Sequence, residues 1–247
     1  TQQVAIDNNM SRNATGIANV TPAPTNTPNR SPSTSPGTSG NGVDSFFRGQ
    51  AKLAAEYLNQ IRANPAAFSP AQPAWDVQTG VNWHEGIKVR TVHIQARPAL
   101  TWNDTLARVA EAKAKELVQE SIKRGTIYIC HIGANGEGIN IKMHEAGYTL
   151  PETWFQDRSS NNFENLGTQW SRSRPSDIGK QIIHQLINDG GAPDGIMTAG
   201  HRNSLLGMDD WYAGMKDIGI AIESFKSSPD AQGSFYIMVV VLGKQAF

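Results

Sequence analysis

Residues 100–118 read LTWNDTLARVAEAKAKELV. Leu106, Val109, Ala110, Ala114, Leu117 and Val118 recur at steps of three and four, the spacing that gathers them on one face of a helix. Asp104 or Thr105 opens that helix, and the pair Glu111→Lys115 supports its solvent side at i,i+4. The closing stretch, IGIAIESFKSSPDAQGSFYIMVVVL at 218–242, has a different character. Two apolar runs of strand length, 218–222 and 235–242, flank a Ser/Pro/Gly-rich turn at 227–234, which predicts a hairpin.

Outward from these two anchors the pattern is irregular. Asp44 or Ser45 can N-cap a helix carrying Phe46, Phe47, Leu53, Ala54, Tyr57, Leu58 and Ile61. That helix should stop by Asn64, because Pro65 disfavours the α region for the residue before it. Residues 69–98, with Trp75 and Trp83, have no clear period and read as a long surface excursion. IYIC at 127–130 is strand-like, and a Gly-rich turn and a short helix ending at Gly147 follow. A strand is expected around 163–167, and a helix from Ser176 that buries Ile178, Ile182, Ile183, Leu186 and Ile187. Irregularly alternating helices and strands predict a layered α/β sandwich with a mainly antiparallel sheet.

The 247 residues carry 22 Lys+Arg against 22 Asp+Glu. Zero net charge argues against a broad nucleic-acid surface, which needs clustered basic excess. The longest apolar stretch, 236–242, is far short of the ~18–20 residues of a membrane helix, so no membrane span is expected. A single cysteine, Cys130, excludes internal disulfides and all-cysteine zinc sites. Residues 21–42 hold five Pro, nine Ser/Thr, three Asn and three Gly around one charge, Arg30. Such a segment buries too little to offset its ordering entropy and reads as an extended linker. Three parts follow: a tail or arm at 1–20, open to contact with another protein, the linker at 21–42, and a folded domain at 43–247. The chain begins at Thr1 with no apolar leader, which reads as a processed start and a secreted, periplasmic or cell-surface location.

No Gly-x-Ser-x-Gly elbow and no phosphate-binding Walker loop occurs. His84-Glu85 and His144-Glu145 lack the second histidine at i+4, where Lys88 and Tyr148 stand, so neither is a zinc-protease helix. Gly133, Gly136 and Gly138 are misspaced for a dinucleotide loop, and Asn135-Gly136 reads as a turn. What remains is a dispersed set where elements meet loops: His131, Glu164 in FENLG, Asp189, and His201 in AGHRNSLL. Taken singly, each has an ordinary structural role available.

LNQIRANPAAF (58–68), LTWNDTLARVAEAKAKEL (100–117), CHIGANG with EAGY (130–136, 145–148), FENLG (163–167), IIHQLINDGG (182–191) and GHRNSLL (200–206) stand in an order that resembles the CAP superfamily. That family comprises the cysteine-rich secretory, antigen 5 and pathogenesis-related proteins, with a bacterial SCP-like branch. The resemblance covers about residues 47–243. It departs in Phe163, where the family has Gly, in the absence of disulfides, and in the insertion at 69–98. It implies a three-layer α-β-α sandwich with a mainly antiparallel central sheet. It also implies a cleft of two histidines and two acids, His131, His201, Glu164 and Asp189, which in some members holds a divalent cation weakly. Imidazoles of this kind suit zinc, with magnesium the other candidate and no organic cofactor implied. The expected function is a secreted or surface binding module for a lipid, sterol or protein partner rather than an enzyme. A metal-dependent hydrolase, with Glu164 or Asp189 as its catalytic carboxylate, is the alternative. A structural subunit docked by its N-terminal arm is the third reading.

Overall fold

The computed structural model describes residues 45–68, 77–82, 86–91, 94–188 and 200–244. The arm, the linker, Trp75, Trp83 and Asp189 lie outside the described residues. The fold is mixed α/β. Helix α1 (Ser45–Ala63) ends immediately before Asn64, and Pro65 opens the four-residue α2 (Pro65–Phe68), where its missing N–H costs no helical bond. Ala54, Leu58 and Ile61 of α1 are fully buried, whereas Leu53, expected in the apolar face, is 40% exposed. Helix α3 (Asp104–Arg124) is capped at both ends. The Asn103 side chain accepts from the amides of Thr105 and Leu106, and Gly125 closes the C-terminus at φ 66°.

Strands β1 (Val77–Asn82) and β2 (Gly86–Thr91) pair antiparallel, from Val77↔Thr91 to Asn82↔Gly86, as a separate two-stranded sheet. The stretch read as an unpatterned excursion therefore contains a hairpin. Its alternation of Val77, Thr79, Val81 and then Ile87, Val89, Thr91 is too short to stand out beside the surrounding Pro and Trp.

The second sheet has four strands in the order β3 (Thr101–Trp102), β5 (Asp217–Phe225), β6 (Ser234–Gly243), β4 (Glu164–Ser171). The pairs β5–β6 and β6–β4 are antiparallel, as the closing hairpin demands, but β3 joins β5 in parallel over two residues, so the sheet is mixed. Its central strand β6 is buried from Tyr236 to Leu242, which is why that run is continuously apolar rather than alternating.

Glycines locate the helices against this sheet. A Cβ on Gly219 of β5 would strike the Leu106 and Ala107 backbone of α3. A Cβ on Gly167 of β4 would strike Ile182 in α5 (Ile178–Asn188). Gly219 and Glu164 are both in register with Val241 and share a face, while Gly167 lies three residues further along β4, on the opposite face. So α3 covers one face and α5 the other. Helix α1 joins α5 there, with the Phe47 and Tyr236 rings 6.2 Å apart. On the α3 side, α4 (Ile139–Glu145) leads through Gly147 (φ 92°) to Tyr148. The Tyr148 hydroxyl donates to Asp217 Oδ2 at 2.7 Å in the interior, and burial drives this phenol well above its ordinary pKa.

Candidate functional site

The first residue of β4 is Glu164. Its side chain is wholly shielded from solvent, and its Oε2 lies 2.8 Å from His131 Nδ1. A carboxylate only accepts, so the imidazole donates through Nδ1–H and, when neutral, leaves Nε2 as its free lone pair. The His131 side chain is 36% exposed, so the ring bridges interior and solvent. The other carboxylate oxygen, Glu164 Oε1, is buried with no hydrogen-bond partner among the described residues.

His131 reaches this position without a strand. Residues 127–130, read from their apolar character as a strand, form no regular element and join neither sheet. Their backbone is bound instead by the end of α3. The Tyr128 amide donates to Ser121 Oγ at 2.9 Å, that hydroxyl bonds the Leu117 carbonyl at 2.7 Å, and the Arg124 guanidinium lies over the Tyr128 ring. A side chain thus satisfies the Tyr128 amide where a ladder partner would otherwise stand. Cys130 is partly buried and hydrogen-bonds Tyr128, which pushes that phenol upward in pKa. Beyond His131 the turn forms as expected: the Gly136 amide donates to the Gly133 carbonyl, and Gly136 takes φ 81°.

His201 is the second residue of α6 (Gly200–Leu206) and is half-buried. Ser204, one turn later, places its Oγ 2.5 Å from Asn165 Oδ1 and 3.1 Å from the His201 carbonyl. Asn165 directly follows Glu164, so the helix carrying His201 is anchored to the residue beside the buried carboxylate. Three arginines hold α6 in place. Arg202, with no exposed surface, donates from Nε to the Ile187 carbonyl at 2.7 Å and from Nη2 to the Asn188 carbonyl at 2.6 Å, closing the C-terminus of α5. Arg62 donates from Nη1 to the Leu205 carbonyl at 2.7 Å, and Arg97 from Nε to the Gly207 carbonyl at 2.9 Å. Burial, and secondarily the charge of Arg97, lowers Arg62 to about 10. None of these arginines stood out in the sequence, because nothing local marks an arginine as buried. Asn165, Arg202 and Ser204 do lie inside FENLG and GHRNSLL, so the motifs held them without assigning them work.

The structure thus joins His131 to Glu164 and ties the His201 helix, through Ser204, to Asn165, the next residue of β4. Among the described residues no three His, Cys, Asp or Glu side chains group so as to hold a metal ion. The described donors suit at most a loosely held cation on imidazole nitrogen, with Glu164 orienting one ring, rather than a closed four-ligand centre. His144 has a packing role, stacked on Phe155 with ring centroids 3.9 Å apart. Trp154 and Trp211 pack edge-on at 4.8 Å beside Phe163, whereas Trp170 on β4 is half exposed. No helix among the described residues is long and apolar enough to cross a membrane. No protein-family model matches the chain, and no curated protein matches it in sequence.

Proposed function

We propose that the chain is a CAP-domain protein of the SCP-like kind, built as a three-layer α-β-α sandwich with a mainly antiparallel sheet. In this reading it is secreted or held at a bacterial cell surface and acts as a binding module for a lipid, sterol or protein partner. The observation that carries the reading is the pair of a fully shielded carboxylate, Glu164, and a half-open imidazole, His131, 2.8 Å apart. A buried acid that fixes one ring nitrogen presents the other to a ligand in a set direction, which is how a recognition contact is pre-organised. His131 and His201 are the two imidazoles to which a divalent cation binds, with Asp189 as the second acid. Imidazole favours zinc over magnesium. When bound, zinc supplies a fixed positive charge that attracts an oxygen of the ligand. The chain's own part is to hold the His131 tautomer through Glu164 and to position His201 through Ser204, Asn165 and Arg202.

Calorimetric titration of the full chain with zinc tests this. The wild type is expected to bind, and His131→Ala and His201→Ala each to weaken binding at least tenfold. Glu164→Gln should weaken it about 10- to 100-fold, the usual effect of removing a group that orients a metal ligand. Equal zinc affinity in all four proteins removes the cleft from the proposal. In parallel, a fluorescent sterol and a fluorescent fatty acid should bind saturably, while ester, peptide and glycan substrates are left intact by the zinc-loaded protein. Turnover abolished by Glu164→Gln would instead make the protein a metal-dependent hydrolase.

A further inference from the structure

Two arginines meet at the C-terminal end of α6. Arg62, in the last turn of α1, is only 1% exposed. The Arg97 amide donates to the Arg62 carbonyl at 2.8 Å, which ties the stretch at 94–100 to α1. Their guanidiniums reach carbonyls two residues apart, Arg62 Nη1 on Leu205 and Arg97 Nε on Gly207. Arg62 Nε takes the Pro98 carbonyl at a long 3.2 Å. A guanidinium offers five N–H donors in a rigid fork. The third nitrogen of that fork, Arg62 Nη2, is buried with no hydrogen-bond partner among the described residues. Arg97 is half-buried, and its side chain bonds only the Gly207 carbonyl among the described residues.

A counter-charge is missing along with the acceptor. Burial and then the Arg97 charge act on the Arg62 guanidinium, both against its charged form, and no carboxylate offsets them. Arg97 likewise has no carboxylate at ion-pair distance among the described residues. The buried Lys113, by contrast, has the Glu116 carboxylate at 3.3 Å. The carbonyls of Pro98, Leu205 and Gly207 present partial charges only, which soften two whole positive charges without cancelling either. A buried cation left unpaired is costly, and a second cation beside it adds to the cost.

We propose that a monatomic monovalent anion, chloride in kind, binds between Arg62 Nη2 and the Arg97 guanidinium. A halide accepts from several N–H groups at once with no preferred lone-pair direction, so one ion serves both forks. It is also small enough to meet a nitrogen that has no solvent contact. A tetrahedral dianion such as sulfate is larger, and its further oxygens would face the Pro98, Leu205 and Gly207 carbonyls, so it is disfavoured. The bound ion links α1, the 94–100 stretch and the end of α6.

The test exchanges sodium gluconate for sodium chloride at constant ionic strength, so that general screening is equal throughout. Amide NMR on the full chain should show saturable chloride shifts at Arg97, Gly207 and Met208. Bromide should reproduce them, and sulfate should bind at least tenfold more weakly. Because an ion that binds only the folded state stabilises it, the urea midpoint should rise along the same saturation curve. Arg97→Gln should weaken chloride at least tenfold in both readouts, while Arg48→Gln, at an exposed arginine of α1, should leave it unchanged. Arg62→Met should abolish binding if that variant folds, and Arg97→Gln decides the matter if it does not. No chloride shifts at these amides, sulfate bound as tightly as chloride, affinity unchanged in Arg97→Gln, or an equal loss in Arg48→Gln would each overturn the assignment.

Discussion

Gly219→Ala is expected to destabilise the domain by about 3 kcal/mol, at the upper end of the usual cost of overpacking. The added methyl would collide with the Leu106 carbonyl carbon and the Ala107 amide nitrogen. Those are backbone atoms in the first turn of α3, so no side chain can swing aside. Nor can the helix retreat as a unit. The Asn103 side chain caps its first turn, and the Asn103 amide donates to the Ile218 carbonyl at 2.9 Å, one residue from the substitution. The control is Gly49→Ala, within α1, where an added Cβ meets nothing within 4 Å. Relief of helical glycine there should stabilise by roughly 0.5–1 kcal/mol. Urea unfolding reads both: the midpoint should fall for Gly219→Ala and rise for Gly49→Ala, with unchanged slopes. Equal midpoints for wild type and Gly219→Ala would mean that α3 does not lie this close to β5.

Arg202→Met should cost a similar amount, about 3 kcal/mol, since hydrogen bonds to a charged group are worth roughly 1.5–3 kcal/mol each and two are lost. Methionine replaces the aliphatic volume but leaves the Ile187 and Asn188 carbonyls at the end of α5 without the guanidinium that now closes them. The planar fork matters as much as the charge, so Arg202→Lys should recover less than half of the loss. Because Arg202 follows His201 on the first turn of α6, the same substitution should weaken zinc binding in whatever fraction stays folded. Denaturant titration and calorimetry separate the two effects. Wild-type stability in Arg202→Met would show that α6 is held without the guanidinium.

The local elements were largely legible. The three- and four-residue steps of 106–118 mark a real helix, and the buried set of α5 is the predicted one: Ile178, Ile182, Ile183, Leu186 and Ile187. Pro65 ends α1 where proline geometry requires. The failures came where a short apolar segment had to be assigned a partner. IYIC and the 77–91 hairpin look similarly ambiguous as text, yet only the hairpin found a neighbouring strand. Ser121 on α3 satisfied the other.

For the candidate site, residue types could be picked out of the motifs but their convergence could not. Helices, caps, turns and the closing hairpin of this protein were determined by the sequence itself, because periodicity, proline and glycine act over a few neighbouring residues. Only the tertiary structure decided that Glu164 meets His131, 33 residues away, and that Arg62 lies beneath a carbonyl 143 residues distant. It alone decided that Lys113, on an otherwise ordinary helix face, is enclosed. Such pairings are set by how layers stack and which polar groups burial obliges to find partners, and both are properties of the packed chain rather than of any stretch of it.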